Sequence, residues 1–459
     1  MKRLKPMDAA WLYVDSPSTP MHVAGLQIFS LPENAPDDFL GRMAAQAREA
    51  QSFAPPWNLK LKASPLRGVL PAWERDDDLD IDYHFRHSAL PAPGGERELG
   101  VLVSRLHSHP MDVTRPLWEC HLIEGLEGGR FAIYTKMHHA LVDGVGGMRM
   151  VQRAMSSDPS TPFRAPWSVG ADWQQDTGTA SNAARKTLAR PSFRDVAGSV
   201  PSAARALFES YRAGGHDGDA LMRPYDAPHS VLNNRISGQR RFATQQYSMD
   251  LLKRLAEASD GTINDVVLAL CSTALRRYLK ESNLLPRQSL VAGIPVSVRP
   301  GDDVAVGTAI SFILAGLATD VADTRKRVEA IQRSTARAKE HLQALPKEAL
   351  DQYTMLLMGP YIAQLMLQLG GRTAPMFNVA ISNVPGPKET LYLGGARLEA
   401  MYPVSLLMHG QALNITCVSY AGTLNFGYTG CRDTLPSMQR LSVYTSEALD
   451  ELKALYRVR

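Results

Sequence analysis

Alternating apolar and polar positions, broken by glycine, proline and charge clusters, divide the chain into strand-like and helix-like stretches. The runs His22 to Phe29, Trp118 to Glu124 and Phe131 to His138 predict strands. Gly125, Gly128 and Gly129 between the last two predict a hairpin or short connection, and a helix follows Asp143-Gly144. From Arg240 the signals alternate again: strand Phe242 to Met249, helices Leu251 to Ala258 and Ile263 to Lys280, then strand Ser289 to Val298. Strands at Ser311 to Ala318, Asn378 to Ser382, Leu413 to Tyr420 and Leu424 to Thr429 precede a final helix from Leu435 to Leu455. The stretch Tyr353 to Leu369 is the most apolar, but Gly359-Pro360 interrupts it. It is too short and broken to span a bilayer, which takes about 20 helical residues, and it predicts a buried or interfacial helix pair.

A length of 459 residues exceeds what one hydrophobic core usually supports. The pattern predicts an α+β protein of two domains, residues 1–160 and 229–459, joined by a crossover over 161–228 where Pro, Ser, Ala and Gly accumulate. Within that crossover Phe193, Val196, Val200, Leu207 and Phe208 lie opposite Arg190, Arg194 and Arg205. Such a basic amphipathic face suits a membrane surface, although a helix packed on its own protein fits the pattern as well.

The net charge of +4 is compatible with anionic phosphates or an anionic bilayer. Basic residues are not interleaved with aromatics, so no nucleic-acid partner is expected. Cys120, Cys271, Cys417 and Cys431 form no CxxC pair, and neither a metal site nor a redox motif is expected. The start, Met1-Lys-Arg-Leu-Lys-Pro, lacks the apolar run of a secretory signal, so a cytoplasmic location is expected.

The most informative segment is Lys136-Met137-His138-His139-Ala140-Leu141-Val142-Asp143-Gly144-Val145-Gly146-Gly147. Adjacent histidines at a strand end point to opposite faces, so one ring can enter a cavity while the other packs behind it. Histidine is the side chain whose ordinary pKa suits a general base near neutral pH. Asp143 can orient an imidazole directly or clamp the loop by pairing with an arginine. Gly144, Gly146 and Gly147 let backbone approach the cavity. No GxSxG elbow occurs in the chain, which favours direct transfer over a covalent serine intermediate.

His138-His139-Ala140-Leu141-Val142-Asp143-Gly144 is a full HHxxxDG motif. With Pro20-Met21-His22-Val23, Arg115-Pro116-Leu117-Trp118, Asn264-Asp265, Pro295-Val296-Ser297-Val298-Arg299 and Asn383-Val384-Pro385-Gly386-Pro387, the chain resembles the bacterial wax ester synthase/diacylglycerol acyltransferases over almost its whole length. It is similar in particular to those of marine hydrocarbon-using bacteria. The resemblance implies two chloramphenicol-acetyltransferase-like domains, mixed sheets flanked by helices, with a tunnel between them. It implies acyl-CoA as co-substrate with no bound cofactor, and a fatty alcohol or diacylglycerol as acceptor. It also implies His139 as the base, with His138 and Asp143 holding the loop, and peripheral association with the inner membrane and lipid inclusions.

Among the companions, Asp265 fits a capping box with Thr262, whereas the Asn264 amide can donate to a developing oxyanion. Arg299 ends an apolar strand and needs a carboxylate or phosphate partner, Asp143 being the first choice. The turn after Asn383 reads as structural, with Ser382 and Asn383 facing the tunnel as the sharper alternative. Gly144 and Ser297 complete the expected substrate and CoA contacts. Pro116-Leu117-Trp118 reads as a core wedge. Met355, Met358 and Met408 suit the lining of a long acyl chain, whose methylenes each contribute about 0.8 kcal/mol on burial. Two other readings compete: an HHxxxDG acyltransferase with another acceptor, and a non-catalytic lipid or acyl-CoA-binding protein.

Overall fold

The alternation along His22 to Phe29 and Phe131 to His138 becomes two neighbouring antiparallel strands, paired from His22 opposite His138 to Ser30 opposite Arg130. The computed structural model describes residues 2–4, 6–63, 71–169, 221–297, 310–344 and 347–459. Most of the expected crossover, with its basic amphipathic face, and Arg299 lie outside the described residues.

In chain order the first half holds β1 (Lys2–Arg3), α1 (Pro6–Val14), β2 (His22–Ser30), α2 (Phe39–Glu49), β3 (Leu59–Leu61), β4 (Ala72–Arg75), α3 (Ile81–His84), β5 (Phe85–Ala89), α4 (Glu96–Ser108), β6 (Trp118–Leu126), β7 (Arg130–His138) and α5 (Gly144–Gln152). The second holds β8 (Arg240–Ser248), α6 (Met249–Ala258), α7 (Ile263–Glu281), β9 (Val291–Ser297), β10 (Ile310–Gly316), α8 (Thr324–Gln343), α9 (Lys347–Met366), β11 (Val379–Val384), β12 (Tyr392–Leu393), β13 (Ala396–Val404), β14 (Leu413–Tyr420), β15 (Thr423–Cys431) and α10 (Arg440–Tyr456). Two six-stranded mixed sheets result, ordered β12-β13-β2-β7-β6-β5 and β10-β9-β11-β14-β15-β8, beside a small β1-β4-β3 sheet. This is the α+β, mixed-sheet architecture expected from the sequence.

Period-two alternation assigns the two faces of the first sheet. Phe29, Phe131, Ile133 and Met137 pack with Met43 and Ala47 of α2 and Met150 and Val151 of α5. On the opposite face Leu26, Ile28, Ala132 and Tyr134 meet Leu99 and Val103 of α4 together with Phe242 of β8. That second face joins the halves. β8 is an edge strand, and its outward amides are covered by a helix rather than left to pair with another chain. The Ser104 and Ser108 hydroxyls on α4 accept from the amides of Phe242 at 2.9 Å and Arg240 at 2.8 Å.

Three features depart from the sequence pattern. β13 was not expected; it crosses from the second half to pair antiparallel with β2, so the first sheet draws on both halves of the chain. The Tyr353 to Leu369 stretch is one helix through Met366 rather than a broken pair, with Pro360 inside it. Pro360 lies exposed, so the carbonyl left without a partner falls on the side open to water. The last helix starts at Arg440 rather than Leu435, because Ser437 takes a φ of 58°.

Trp118 anchors the first core. It is fully buried, its indole N–H donates to the Trp57 carbonyl at 2.7 Å, and it stacks on His84 and Trp167. Trp118→Ala is expected to lower the unfolding free energy by about 3–5 kcal/mol in a guanidinium titration. A loss below about 1 kcal/mol would show that this wedge contributes little.

Candidate active site

The site forms where β7 runs out. The His138 amide donates to the Leu117 carbonyl at 3.0 Å and the His139 amide to the Met21 carbonyl at 2.8 Å, so the histidine pair is tied to the segments on either side. The chain then turns, with the Leu141 amide donating to the His138 carbonyl at 2.9 Å. His138 is buried, and its Nδ1 accepts from the Ala140 amide at 3.1 Å, which in a neutral ring leaves the proton on Nε2. That nitrogen looks toward Asp15 Oδ2 at 3.8 Å, while Asp15 Oδ1 accepts from the Met21 amide at 2.8 Å. His138 therefore holds the turn.

His139 is half-buried, its ring centroid 4.1 Å from that of Trp11 on α1. Nδ1 is enclosed without a well-formed partner and leans on the residue's own carbonyl. With the proton on Nδ1, the Nε2 lone pair is the one left for chemistry. Burial pulls the imidazole down to about 4, and the Asp143 carboxylate opposes that pull. The ring is accordingly neutral across the physiological range.

Asp143 is exposed and caps α5: its Oδ1 accepts from the Gly146 amide at 2.6 Å. Of the two expected roles, direct orientation of an imidazole by a hydrogen bond is not seen among the described residues. Small residues are needed here, since a Cβ on Gly146 would stand 2.9 Å from that Oδ1. Gly144 begins the helix and lines a cavity of about 280 Å³, its open mouth included, with Val23, Gly25, Gln27, Thr135 and Met137.

Behind the pair lies a buried polar network. His22 Nε2 meets the His107 carbonyl at 2.8 Å, and His107 bridges the Tyr134 hydroxyl at 2.9 Å and the Ser405 carbonyl at 3.0 Å. Burial lowers both imidazoles, His107 to about 3, so both stay neutral. Lys136 is fully buried, donates to the carbonyls of Leu106 and His109, and sits 3.2 Å from Glu119. Burial alone would raise the Glu119 carboxyl, but the His121 hydrogen bond and the Lys136 charge bring it to about 2.

The other expected residues are spread more widely. Asn264 is half-buried in the first turn of α7 with no hydrogen bond from its side chain to the described residues. Asp265 forms the capping box with Thr262 and accepts from Thr335 at 2.7 Å, a role in the fold. Ser297 ends β9, and Met355 lies on α9. Ser382 is half-buried and Asn383 exposed at the end of β11. Met358 and Met408 pack against the core of the second half. Sequence reasoning did not single out Trp11 and Asp15, because both reach the motif only through tertiary contact. No group of three or more possible metal ligands occurs among the described residues.

Removing the Asp143 cap by Asp143→Ala should cost about 1 kcal/mol of stability, and Asp143→Asn should recover most of it. Equal losses in the two variants, read by thermal melting, would contradict a capping role.

The family model for the wax ester synthase/diacylglycerol acyltransferase catalytic domain matches residues 4–267, and that for the WS/DGAT C-terminal domain matches residues 306–453. A protein of Mycobacterium tuberculosis named as a diacylglycerol O-acyltransferase is 46% identical over 99% of this chain and 97% of its own length. The O-acyltransferase WSD of Acinetobacter baylyi is 39% identical, over 98% of this chain and 96% of its own. Among solved structures, the wax ester synthase/diacylglycerol acyltransferase of Marinobacter aquaeolei VT8 superposes with a TM-score of 0.81 at 38% identity, each chain fully covered. A condensation domain of the calcium-dependent antibiotic synthetase, at 17% identity and a TM-score of 0.57 over 99% of this chain and 96% of its own, shares the fold.

Proposed function

Because the chain belongs to the wax ester synthase/diacylglycerol acyltransferase family, we propose that this acyltransferase moves a long acyl chain from acyl-CoA directly onto a fatty alcohol or diacylglycerol, with His139 as general base. The observation that carries the proposal is a neutral imidazole at the end of β7, held by backbone bonds and kept neutral by burial. In the reaction the acceptor O–H gives its proton to His139 Nε2 as the oxygen attacks the thioester carbonyl. The tetrahedral oxyanion then collapses, the C–S bond breaks, and CoA leaves as a thiol after the imidazolium returns the proton. Atoms and charge balance without an acyl-enzyme.

Asn264 is the proposed oxyanion donor, a contact worth about 3 kcal/mol in other enzymes. Gly144, Ser297, Arg299, Ser382 and Asn383 are proposed to contact substrate or CoA, and Arg299 to pair with Asp143. Met355, Met358 and Met408 are proposed to meet the acyl chain in a tunnel between the domains. His138 and Asp143 keep the turn in place. Since the ester product and the acceptor are lipids and the acyl-CoA donor is an amphiphile, the reaction is proposed to run at the inner membrane or a lipid-inclusion surface. No described helix is long and apolar enough to cross a membrane.

Purified protein with palmitoyl-CoA and hexadecanol or a diacylglycerol should release thiol and form ester in equal amounts. His139→Ala should lower that rate by roughly 10²–10⁴-fold, the usual contribution of a positioned base. Ester formation unchanged in the variant would overturn the proposal. Thiol release alone, equal in both proteins, would favour a binding protein.

A further inference from the structure

Positions 352–371 run for 20 residues without an Asp, Glu, Lys or Arg, yet they form most of a helix at the protein surface. The inner side of α9 is accounted for: Tyr353, Leu357 and Tyr361 are buried in the core of the second half. The outer side is not. Leu356 is 38% exposed, Met366 37% and Leu367 69%, and Pro360 and Ala363 are exposed between them. At roughly 100° per residue, positions 356, 360, 363 and 367 share one stripe. A helix resting on a globular protein ordinarily turns charge to water, and an apolar stripe left outward marks an interaction surface.

Two neighbours say what covers it. At the end of the stripe, Arg235 donates to the Gln368 carbonyl at 3.1 Å and the Gly370 carbonyl at 3.5 Å, and Arg235 and Arg372 are both exposed. Apolar residues beside guanidinium groups that meet no carboxylate among the described residues complement an anionic lipid surface, with acyl chains against the stripe and headgroups at the arginines. Along the helix, α9 packs against α1, which exposes Tyr13 and presses Trp11 on the His139 ring. One short helix thus links α9 to the imidazole. A second copy fits less well, since positions 352–371, which carry the stripe, offer no carboxylate to match the arginines of a partner.

We propose that the outer side of α9, with Tyr13 of α1 and the Arg235–Arg372 rim, seats this protein on an anionic lipid surface and brings a membrane-dissolved alcohol to His139. The proposal rests on the acyltransferase reading above for what the docked protein does, but docking can be measured without it. The stripe lies in the interface plane and does not span it.

The test is flotation of the full chain with phosphatidylcholine vesicles and with phosphatidylcholine–phosphatidylglycerol vesicles, at low and high salt. The parent should bind the anionic vesicles more tightly and weaken with salt. Leu356→Asp with Leu367→Asp should lower binding roughly tenfold or more, and Arg235→Gln with Arg372→Gln should remove the preference for anionic lipid. Each double variant should keep its turnover on a short alcohol dissolved in water, which separates docking from chemistry. Parent protein that ignores both vesicles, or a Leu pair variant that binds as the parent does, overturns the proposal. So does a parent dimer that the Leu pair variant splits while vesicle binding is unchanged. Absence of any ester from the parent, with vesicle binding intact, defeats the catalytic reading and leaves the docking surface standing.

Discussion

Two backbone hydrogen bonds at the end of β7 decide where the imidazole sits: His138 N–H to Leu117 and His139 N–H to Met21. Leu117 leads into β6 and Met21 into β2, so the histidine pair is tied to both neighbours of its own strand. A loop carrying the same residues would lose the geometry to conformational freedom, at about 1–2 kcal/mol for each backbone residue to be fixed. The surrounding polar network belongs to the same constraint. His22, His107, Lys136 and Glu119 are all buried, and their hydrogen bonds fasten α4 and the Ser405 segment to the sheet that ends in the motif.

The two histidines and the aspartate of the motif sit in three different environments. His138 spends its Nδ1 on the Ala140 amide and lies buried, which leaves it no free base. His139, one position later, is half-buried, and its Nδ1 has no hydrogen-bond partner among the described residues. Asp143 is bound to the helix it starts and acts on His139 through its charge. The glycines supply close approach, since a side chain at Gly146 would meet the capping carboxylate.

Much of this was readable in the residues. Strand alternation located β2, β6 and β7 to within a few positions, because one face of each strand is buried against helices and the other against α4 or the second half. The motif pointed to the end of β7 as the candidate site, and the capping box at Thr262 and Asp265 was legible as a local pattern. What escaped was non-local. Nothing in Ala396 to Val404 says that it pairs with β2 some 370 positions earlier, since period-two alternation names a buried face and not a partner. Trp11 and Asp15 meet the histidines through tertiary packing. Pro360 read as a break, but an exposed outer side tolerates it within one helix.

Burial in the fold keeps the ring at position 139 uncharged at working pH. Unfolded histidine takes up its proton near 6.5, so holding the folded ring near 4 disfavours the charged form, and the stability tied to this group is lost as pH falls through that window. Carbon-13 labelling of the histidine Cε1 positions, with the His139 signal assigned by its disappearance in His139→Gln, measures the protonation directly. A resonance that stays in its neutral position until the pH approaches about 4 is the expected result. A midpoint at or above the ordinary value near 6.5 would contradict it.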